Sequence, residues 1–119
     1  MSGLFVACLC AQWCGTCREY QPGFAGLKEK FPQAEFAWVD IEDEPDVVDE
    51  LDVENFPTVV IQRGSVVVFY GTVLPQLSLL ERLIETYLDQ SEEEARAYAC
   101  ATPERRAWQE VADIRGRLP

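Results

Sequence analysis

The stretch CLCAQWCGTC, residues 8–17, decides the fold because it stands where an apolar run meets a helical pattern. Residues 3–10 form a nearly continuous apolar run, which predicts a strand buried on both of its faces. From Cys14 to about Lys30, apolar residues recur at helical spacing and predict a helix. Cys14 and Cys17 are therefore expected at a strand-to-helix junction.

Four cysteines within these ten residues admit four explanations: catalytic thiols, metal ligands, disulfide staples or small core residues. Cys8 and Cys10 have the same parity on the predicted strand, so we expect both to pack on one side of the sheet as small apolar residues. Together with Cys14 and Cys17 they have the right number for an all-thiolate zinc or iron–sulfur site. We expect no metal there, because ligands buried on a strand do not easily reach a pair at a helix tip. Cys100 is expected to be a passive, half-buried thiol.

The composition limits the classes of function. The chain has 119 residues, is 48% hydrophobic and carries a net charge of −11, which fits one domain and argues against nucleic acid and membrane surfaces as partners. It has no histidine, so its chemistry must use sulfur or carboxylate groups. An odd, clustered set of cysteines argues against a secreted disulfide scaffold, and neither a signal peptide nor a membrane span is recognisable. We therefore expect a cytoplasmic protein.

The remaining patterns extend the junction into an α/β domain. Residues 34–41 alternate in polarity and predict a second strand, which would join the first by a parallel crossover. The segment from Pro45 to Val53 predicts a short helix. Residues 58–62 and 66–72 are rich in β-branched side chains, and the short turn between them predicts a hairpin.

The hairpin is followed by a helix and then by a change in composition. Ser78 and Glu81 form a capping-box pattern that predicts where this helix begins, which completes the order βαβαββα. Further along, Thr102 precedes a proline and predicts another helix start. We expect residues 1–90 to form one domain and residues 91–119 a helical C-terminal extension, packed on the core or used in dimerisation.

Four features together resemble the thioredoxin family over roughly residues 3–90. They are WCGTC after a buried strand, Pro22 eight residues beyond the first cysteine of that motif, NFPTVV at the start of the hairpin, and Gly71 at its second strand's end. The resemblance implies a thioredoxin-like α/β fold in its minimal form. This is a βαβαββα core with a four-stranded mixed sheet, here followed by C-terminal helices.

The resemblance also implies which residues act. Cys14 would be the nucleophile and Cys17 the resolving thiol, in accord with the stabilisation of a thiolate by the unpaired N–H groups and dipole at a helix N-terminus. A cis peptide before Pro57 would leave the backbone of Phe56 free to pair with an extended substrate segment. The implied substrate-binding residues are Trp13, Gly15, Thr16, Phe56, Pro57, Thr58 and Gly71.

The sequence departs from the family pattern at several places. Cys8 and Trp38 occupy the positions of a buried aspartate and a buried lysine, so the resolving thiol lacks its usual proton acceptor and is expected to react more slowly or through water. Thr16 replaces a proline between the two cysteines, for which we expect an intermediate redox potential. Few residues precede the first strand, so an exposed edge and helix face are expected, with Trp108, Val111 and Ile114 as candidates to cover them.

These observations favour a thiol-disulfide oxidoreductase that acts on protein disulfides through Cys14 and Cys17. Its partners would be protein substrates and a thiol reductase as electron donor. It would need no cofactor and would act as a monomer or homodimer. The rival hypothesis is a thioredoxin-fold binding or assembly module with little redox turnover, which the missing aspartate and the C-terminal extension favour.

Overall fold

The apolar run ahead of the cysteine motif forms strand β1, Leu4–Cys10, and all of its residues are buried. The computed structural model describes residues 4–11, 15–43, 58–64, 66–72, 76–112 and 114. The helical pattern after the motif forms helix α1, Gly15–Lys30. The other elements are β2 (Glu35–Asp40), β3 (Thr58–Arg63), β4 (Val66–Thr72), α2 (Leu77–Leu88), α3 (Glu92–Ala99) and α4 (Pro103–Val111). The predicted helix from Pro45 to Val53 lies outside the described residues.

The strands form one mixed sheet in the order β2-β1-β3-β4. Strand β1 pairs with β2 in parallel and with β3 in antiparallel fashion, and β3 pairs with β4 in antiparallel fashion. Gly64 in the hairpin turn has a φ of 62°, a conformation that glycine adopts without steric cost. The predicted α/β class, the four-stranded mixed sheet and the hairpin are confirmed.

One side of the sheet, which we call the cysteine face, is covered by α1 and α2. Its strand residues include Val6, Cys8 and Cys10, because residues of one parity on β1 point to the same side. The helices pack onto them with Cys17, Tyr20, Phe24 and Leu27 of α1 and Leu80 and Ile84 of α2. The expected packing of the motif helix against the sheet is therefore observed.

The opposite side of the sheet, which we call the second face, is covered by residues from the C-terminal part of the chain. Phe5, Ala7 and Leu9 of β1 point to this side and contact a cluster that includes Ala112 and Ile114, both fully buried. Trp108 of α4 is partly buried there, with its ring centroid 6.4 Å from that of Tyr70. Trp108 and Ile114 do cover apolar surface as expected, whereas the side chain of Val111 lies outside the described part.

Helix α4 is also hydrogen-bonded to strand β4 through the side-chain amide of Gln109. Gln109 Oε1 accepts a hydrogen bond from the Val67 backbone N–H at 2.8 Å, and Gln109 Nε2 donates to the Val67 carbonyl at 2.8 Å. Within the described residues β4 is an edge strand, and an unpaired edge presents backbone groups that need partners. The amide of Gln109 pairs both backbone groups of Val67.

The helix starts agree only partly with the sequence patterns. Thr102 caps α4 as predicted, since its hydroxyl accepts a hydrogen bond from the Arg105 backbone N–H at 3.1 Å. The capping box predicted at Ser78 is wrong, because α2 begins at Leu77 after Gln76, which makes no side-chain cap. Glu81 instead contacts Lys30 of α1, with 3.0 Å between the carboxylate and the ammonium group.

Candidate active site at the strand-to-helix junction

The register of the sheet gathers several predicted site residues at one end. Strand β1 ends at Cys10, and its neighbour Leu9 pairs with Thr58, the first residue of β3. Thr58 pairs in turn with Thr72 of β4, and their hydroxyl oxygens are 3.5 Å apart. Gly71 pairs with Val59 one position further along. The start of the hairpin and the end of β1, which leads into the cysteine motif, therefore lie at the same end of the sheet.

Helix α1 presents the second half of the motif at that end. Gly15 is exposed, Thr16 is half-buried and Cys17 is buried at 1% exposure. This sequence of exposures follows from the helical turn, which directs Cys17 towards the sheet while the residues before it face outwards. The sulfur of Cys17 is therefore shielded from solvent.

Cys17 forms a disulfide with Cys10, and the two Cα atoms are 5.8 Å apart. The expectation that Cys10 packs passively is wrong, as is the expectation that strand cysteines do not easily reach the helix pair. Cys10 is the last residue of β1 and Cys17 lies in the first turn of α1, and both side chains belong to the same buried cluster. This separation lies within the range that a disulfide spans, 4.4 to about 6.8 Å.

Cys8 is a free thiol beside that disulfide, with its Sγ 3.9 Å from the Sγ of Cys10. Burial raises the pKa of Cys8 to about 12, because desolvation disfavours the thiolate. Burial, and then the charge of Cys8, also raise the pKa of Tyr20 in the same cluster. Cys8 thus behaves as the small apolar residue that was expected.

The two positions at which the sequence departs from the family pattern are neighbours in the sheet. Cys8 of β1 and Trp38 of β2 are partners in the parallel register. Trp38 packs its ring against that of Phe24, with centroids 5.7 Å apart. An uncharged thiol and an indole therefore lie side by side at this point of the sheet.

A cavity of about 250 Å³ borders Cys17 on this side. Its lining includes Trp38, Asp40, Asp43 and Arg18. Asp40 is the register partner of Cys10 across β1 and β2, which places a carboxylate next to the disulfide-bearing strand end. Sequence reasoning did not single out Asp40, although its position at the end of the second predicted strand was a signal for it.

Several predicted site residues lie outside the described part of the chain: Trp13, Cys14, Phe56 and Pro57. Gly71 lies in β4, where a Cβ atom would be 3.6 Å from the Phe69 ring, an ordinary contact. Its role in a substrate groove stays a prediction. Cys100 follows α3 and is exposed, so the expectation of a half-buried thiol is wrong.

None of the helices in the described ranges is both long and apolar enough to cross a membrane. Those ranges also contain no group of three or more cysteine, aspartate or glutamate side chains arranged to hold a metal ion. The sulfurs of Cys10 and Cys17 are bonded to each other in a disulfide.

Solved thioredoxin structures resemble this fold. The X-ray structure of Fasciola hepatica thioredoxin aligns with a TM-score of 0.66 and 28% sequence identity, covering 72% of this chain and 82% of the other. Oxidised mitochondrial thioredoxin 3 from Saccharomyces cerevisiae aligns with a TM-score of 0.63 and 26% identity, covering 71% and 78%. These similarities support the thioredoxin-like fold.

Sequence comparison gives the same result. An H-type thioredoxin from Picea mariana is 45% identical over 58 residues, which are 48% of this chain and 46% of the relative. This chain spans about half the length of the curated relatives that it matches. The sequence model of the thioredoxin family matches residues 2–85, more than half of the chain. On this match and on its fold, the chain belongs to the thioredoxin family.

Proposed function

We propose that this protein is a thiol-disulfide oxidoreductase that exchanges a Cys14–Cys17 dithiol with protein disulfides. The observation that carries the proposal is the placement of Cys17 in the first turn of α1, with its sulfur buried against the strands of the cysteine face. Cys14 directly precedes the first helical residue, and a cysteine at a helix N-terminus has its thiolate stabilised by free N–H groups and the helix dipole.

The reaction follows ordinary thiol-disulfide exchange. The thiolate of Cys14 attacks one sulfur of a substrate disulfide, forms a mixed disulfide and releases the first substrate thiol. Cys17 then attacks the Cys14 sulfur, which closes the Cys14–Cys17 disulfide and releases the second substrate thiol. The substrate gains two electrons and two protons, and the protein loses them to become oxidised. A thiol reductase would restore the dithiol, with no cofactor bound to this chain.

Substrate recognition would use the end of the sheet where the cysteine motif is close to the start of the hairpin. Thr58 and Gly71 lie at that end. The proposed surface also includes, from their place in the sequence, Trp13, Gly15, Thr16, Phe56 and Pro57. A cis peptide before Pro57 would let the Phe56 backbone pair with an extended substrate segment. The substrates would be protein disulfides in a reducing cytoplasm.

The uncharged pair at Cys8 and Trp38 should slow the resolving step. With Cys8 in place of a buried carboxylate, the proton of Cys17 would pass to water in the cavity that Cys17 and Asp40 both line, so we expect weaker activity than a protein with that buried carboxylate shows. The division into a thioredoxin-like domain, 1–90, and a helical extension, 91–119, belongs to the same proposal, as does action as a monomer or homodimer.

A binding or assembly module is the second candidate. One observation favours it: Cys17 is joined to Cys10, and a resolving thiol in that state is not available for turnover. The two candidates differ in whether electrons flow to a substrate. A module would bind its partner equally well with or without Cys14.

The test is the rate of reduction of a disulfide-bonded reporter protein, with dithiothreitol as electron donor. Wild type should accelerate the reaction, Cys14→Ser should abolish the acceleration, and Cys17→Ser should form a mixed disulfide with little turnover. Cys100→Ser is the matched control and should act as wild type, since Cys100 is exposed on the C-terminal side of α3. An unchanged rate in Cys14→Ser would refute the proposal, and binding without any turnover would favour the module.

A further inference from the structure

We propose that Cys10 is a third redox-active cysteine, an alternative disulfide partner that competes with Cys14 for Cys17. The inference rests on the proposed function, since it concerns the thiol that resolves the mixed disulfide. It goes beyond that function because the two-cysteine reaction has no use for Cys10. The disulfide between Cys10 and Cys17 is the observation from which it starts.

The positions of the two residues make this pairing a property of the fold. Cys10 ends β1 and Cys17 lies in the first turn of α1, so each is held by a regular element. Both are 1% exposed and belong to one cluster on the cysteine face. Their Cα separation of 5.8 Å is near the commonest value for disulfides, so the strand end and the helix turn hold the two residues at an ordinary disulfide distance.

Conversion of the Cys14–Cys17 disulfide into the Cys10–Cys17 disulfide is an isomerisation that needs no external oxidant. The sulfur of Cys10 loses its proton and attacks the Cys17 sulfur of the Cys14–Cys17 disulfide. The bond between Cys14 and Cys17 breaks, a bond between Cys10 and Cys17 forms, and the Cys14 sulfur leaves as a thiolate that takes up a proton from solvent. One thiol and one disulfide are present before and after the step, so electrons and protons balance.

The chemistry of the sulfurs favours the buried isomer. A sulfur whose thiolate is stabilised at a helix N-terminus is a good leaving group, which applies to Cys14 by its place before α1. A disulfide is apolar and uncharged, so it suits the interior once formed, whereas the cost of a buried thiolate slows the attack by Cys10 and does not lower the stability of the product. The Sγ of Cys8 lies 3.9 Å from that of Cys10, and burial raises the pKa of Cys8, so we expect the isomerisation to be slow relative to reactions of an exposed thiolate.

The consequence is a second mode of action for the same protein. With Cys17 engaged by Cys10, the thiol of Cys14 remains reactive but has no resolving partner. A mixed disulfide formed at Cys14 would then persist until an external thiol removes it. The protein would hold a small thiol such as glutathione, or a protein thiol, instead of turning over.

The decisive experiment maps the disulfides of the full chain after equilibration in glutathione redox buffer. Free thiols are trapped with N-ethylmaleimide under acid conditions, and the protein is digested with trypsin and chymotrypsin. Cleavage after Trp13 and after Arg18 separates the peptide CGTCR, residues 14–18, from a peptide that carries Cys8 and Cys10. The two isomers therefore give different products, a cross-linked pair of peptides or a CGTCR peptide with an internal disulfide.

Cys10→Ala and Cys8→Ala are the matched variants, because both residues are buried on the same face of the same strand. We expect the cross-link in wild type and in Cys8→Ala, and its replacement by the internal Cys14–Cys17 disulfide in Cys10→Ala. Fragmentation of the cross-linked pair should place the bond at Cys17. Glutathione bound at Cys14 should be severalfold more abundant in wild type than in Cys10→Ala.

Each other outcome overturns the inference in a recognisable way. The internal disulfide as the main product in wild type would reject Cys10 as a partner and leave the proposed function intact. A cross-link that survives Cys10→Ala would assign the bond to Cys8. A cross-link in wild type without any internal disulfide in Cys10→Ala would make the buried bond purely structural, and the proposed function would fail with it. Equal glutathione at Cys14 in the two proteins would also contradict the proposal.

Discussion

Strand β1 is buried on both faces of the sheet, but the two faces are covered by different parts of the chain. On the cysteine face, α1 and α2 pack over the strands, and Cys8, Cys10 and Cys17 belong to the core itself. On the second face, Ala112 and Ile114 close the core from beyond residue 90, with Trp108 of α4 partly buried beside them. One face therefore carries the disulfide and the proposed chemistry together with part of the core, whereas the other carries core residues of the C-terminal part of the chain.

This difference shows where the chain can change without loss of its chemistry. A substitution on the cysteine face alters both the packing and the environment of the sulfurs, since Cys8, Cys10 and Cys17 are core residues. A substitution on the second face should alter the free energy of unfolding and leave the reactivity of the thiols unchanged.

The largest contrast is between the free thiols of Cys8 and Cys100. Burial raises the pKa of Cys8 to about 12, so below that pH it stays protonated, whereas Cys100 is exposed. Since the thiolate is the reactive form and Cys8 is fully buried, we expect iodoacetamide to alkylate Cys8 orders of magnitude more slowly than the exposed Cys100, with a rate that rises as pH approaches 12. Peptide mapping after timed labelling measures both rates. Similar rates in the folded protein would mean that the cysteine face is open to solvent.

The second prediction compares one isoleucine from each face. Ile84 and Ile114 are both fully buried, the former under the cysteine face and the latter under the second face. Replacement of either by alanine should lower the free energy of unfolding by about 2 to 5 kcal/mol. Denaturation in urea measures both. If Ile114→Ala costs less than about 0.5 kcal/mol while Ile84→Ala costs the expected amount, the C-terminal segment is a dispensable appendage.

The third prediction concerns the amide that joins α4 to β4. Gln109→Ala removes both hydrogen bonds to Val67 and should cost about 1 to 3 kcal/mol, because the backbone groups of Val67 lose their partner. Gln21→Ala, at an exposed position of α1, is the control and should change stability by less than about 0.5 kcal/mol. Equal stability of the two variants would show that the amide contributes nothing to the second face.

The smallest effect is expected from the ion pair between α1 and α2. Lys30 is half exposed, with 54% of its side chain accessible, so Lys30→Ala should cost about 0.2 to 1 kcal/mol and less at high salt. Lys28→Ala, an exposed position in the same last turn, serves as the control. A loss well above this range, unaffected by salt, would show that Lys30 acts through packing and not through its charge.

Local sequence patterns were sufficient for the elements of the cysteine face. The apolar run at residues 4–10, the helical spacing after Gly15 and the β-branched hairpin each depend on neighbours in sequence, which a single chain displays directly. The parity of Cys8 and Cys10 also predicted their common side of the sheet correctly. Patterns of this kind determine which way a side chain points.

Distances across the core could not be predicted in the same way. Parity placed Cys10 on the side of the motif helix, but the separation between the strand end and the first turn of α1 follows from packing, and so the pairing with Cys17 was missed. The contact of Gln109 with Val67 joins residues 42 positions apart. The pattern at Ser78 failed for a related reason, since Glu81 is directed towards Lys30 on another helix.

The most direct test of the account is the redox equilibrium of the Cys10→Ala variant in defined thiol buffers, followed by tryptophan fluorescence. Removal of Cys10 leaves Cys14 as the partner of Cys17, so the account predicts a reversible two-electron couple that disappears when Cys14→Ser is added. The absence of any couple in Cys10→Ala, or a couple that persists in the double variant, would contradict the claim that the chain exchanges disulfides through Cys14 and Cys17.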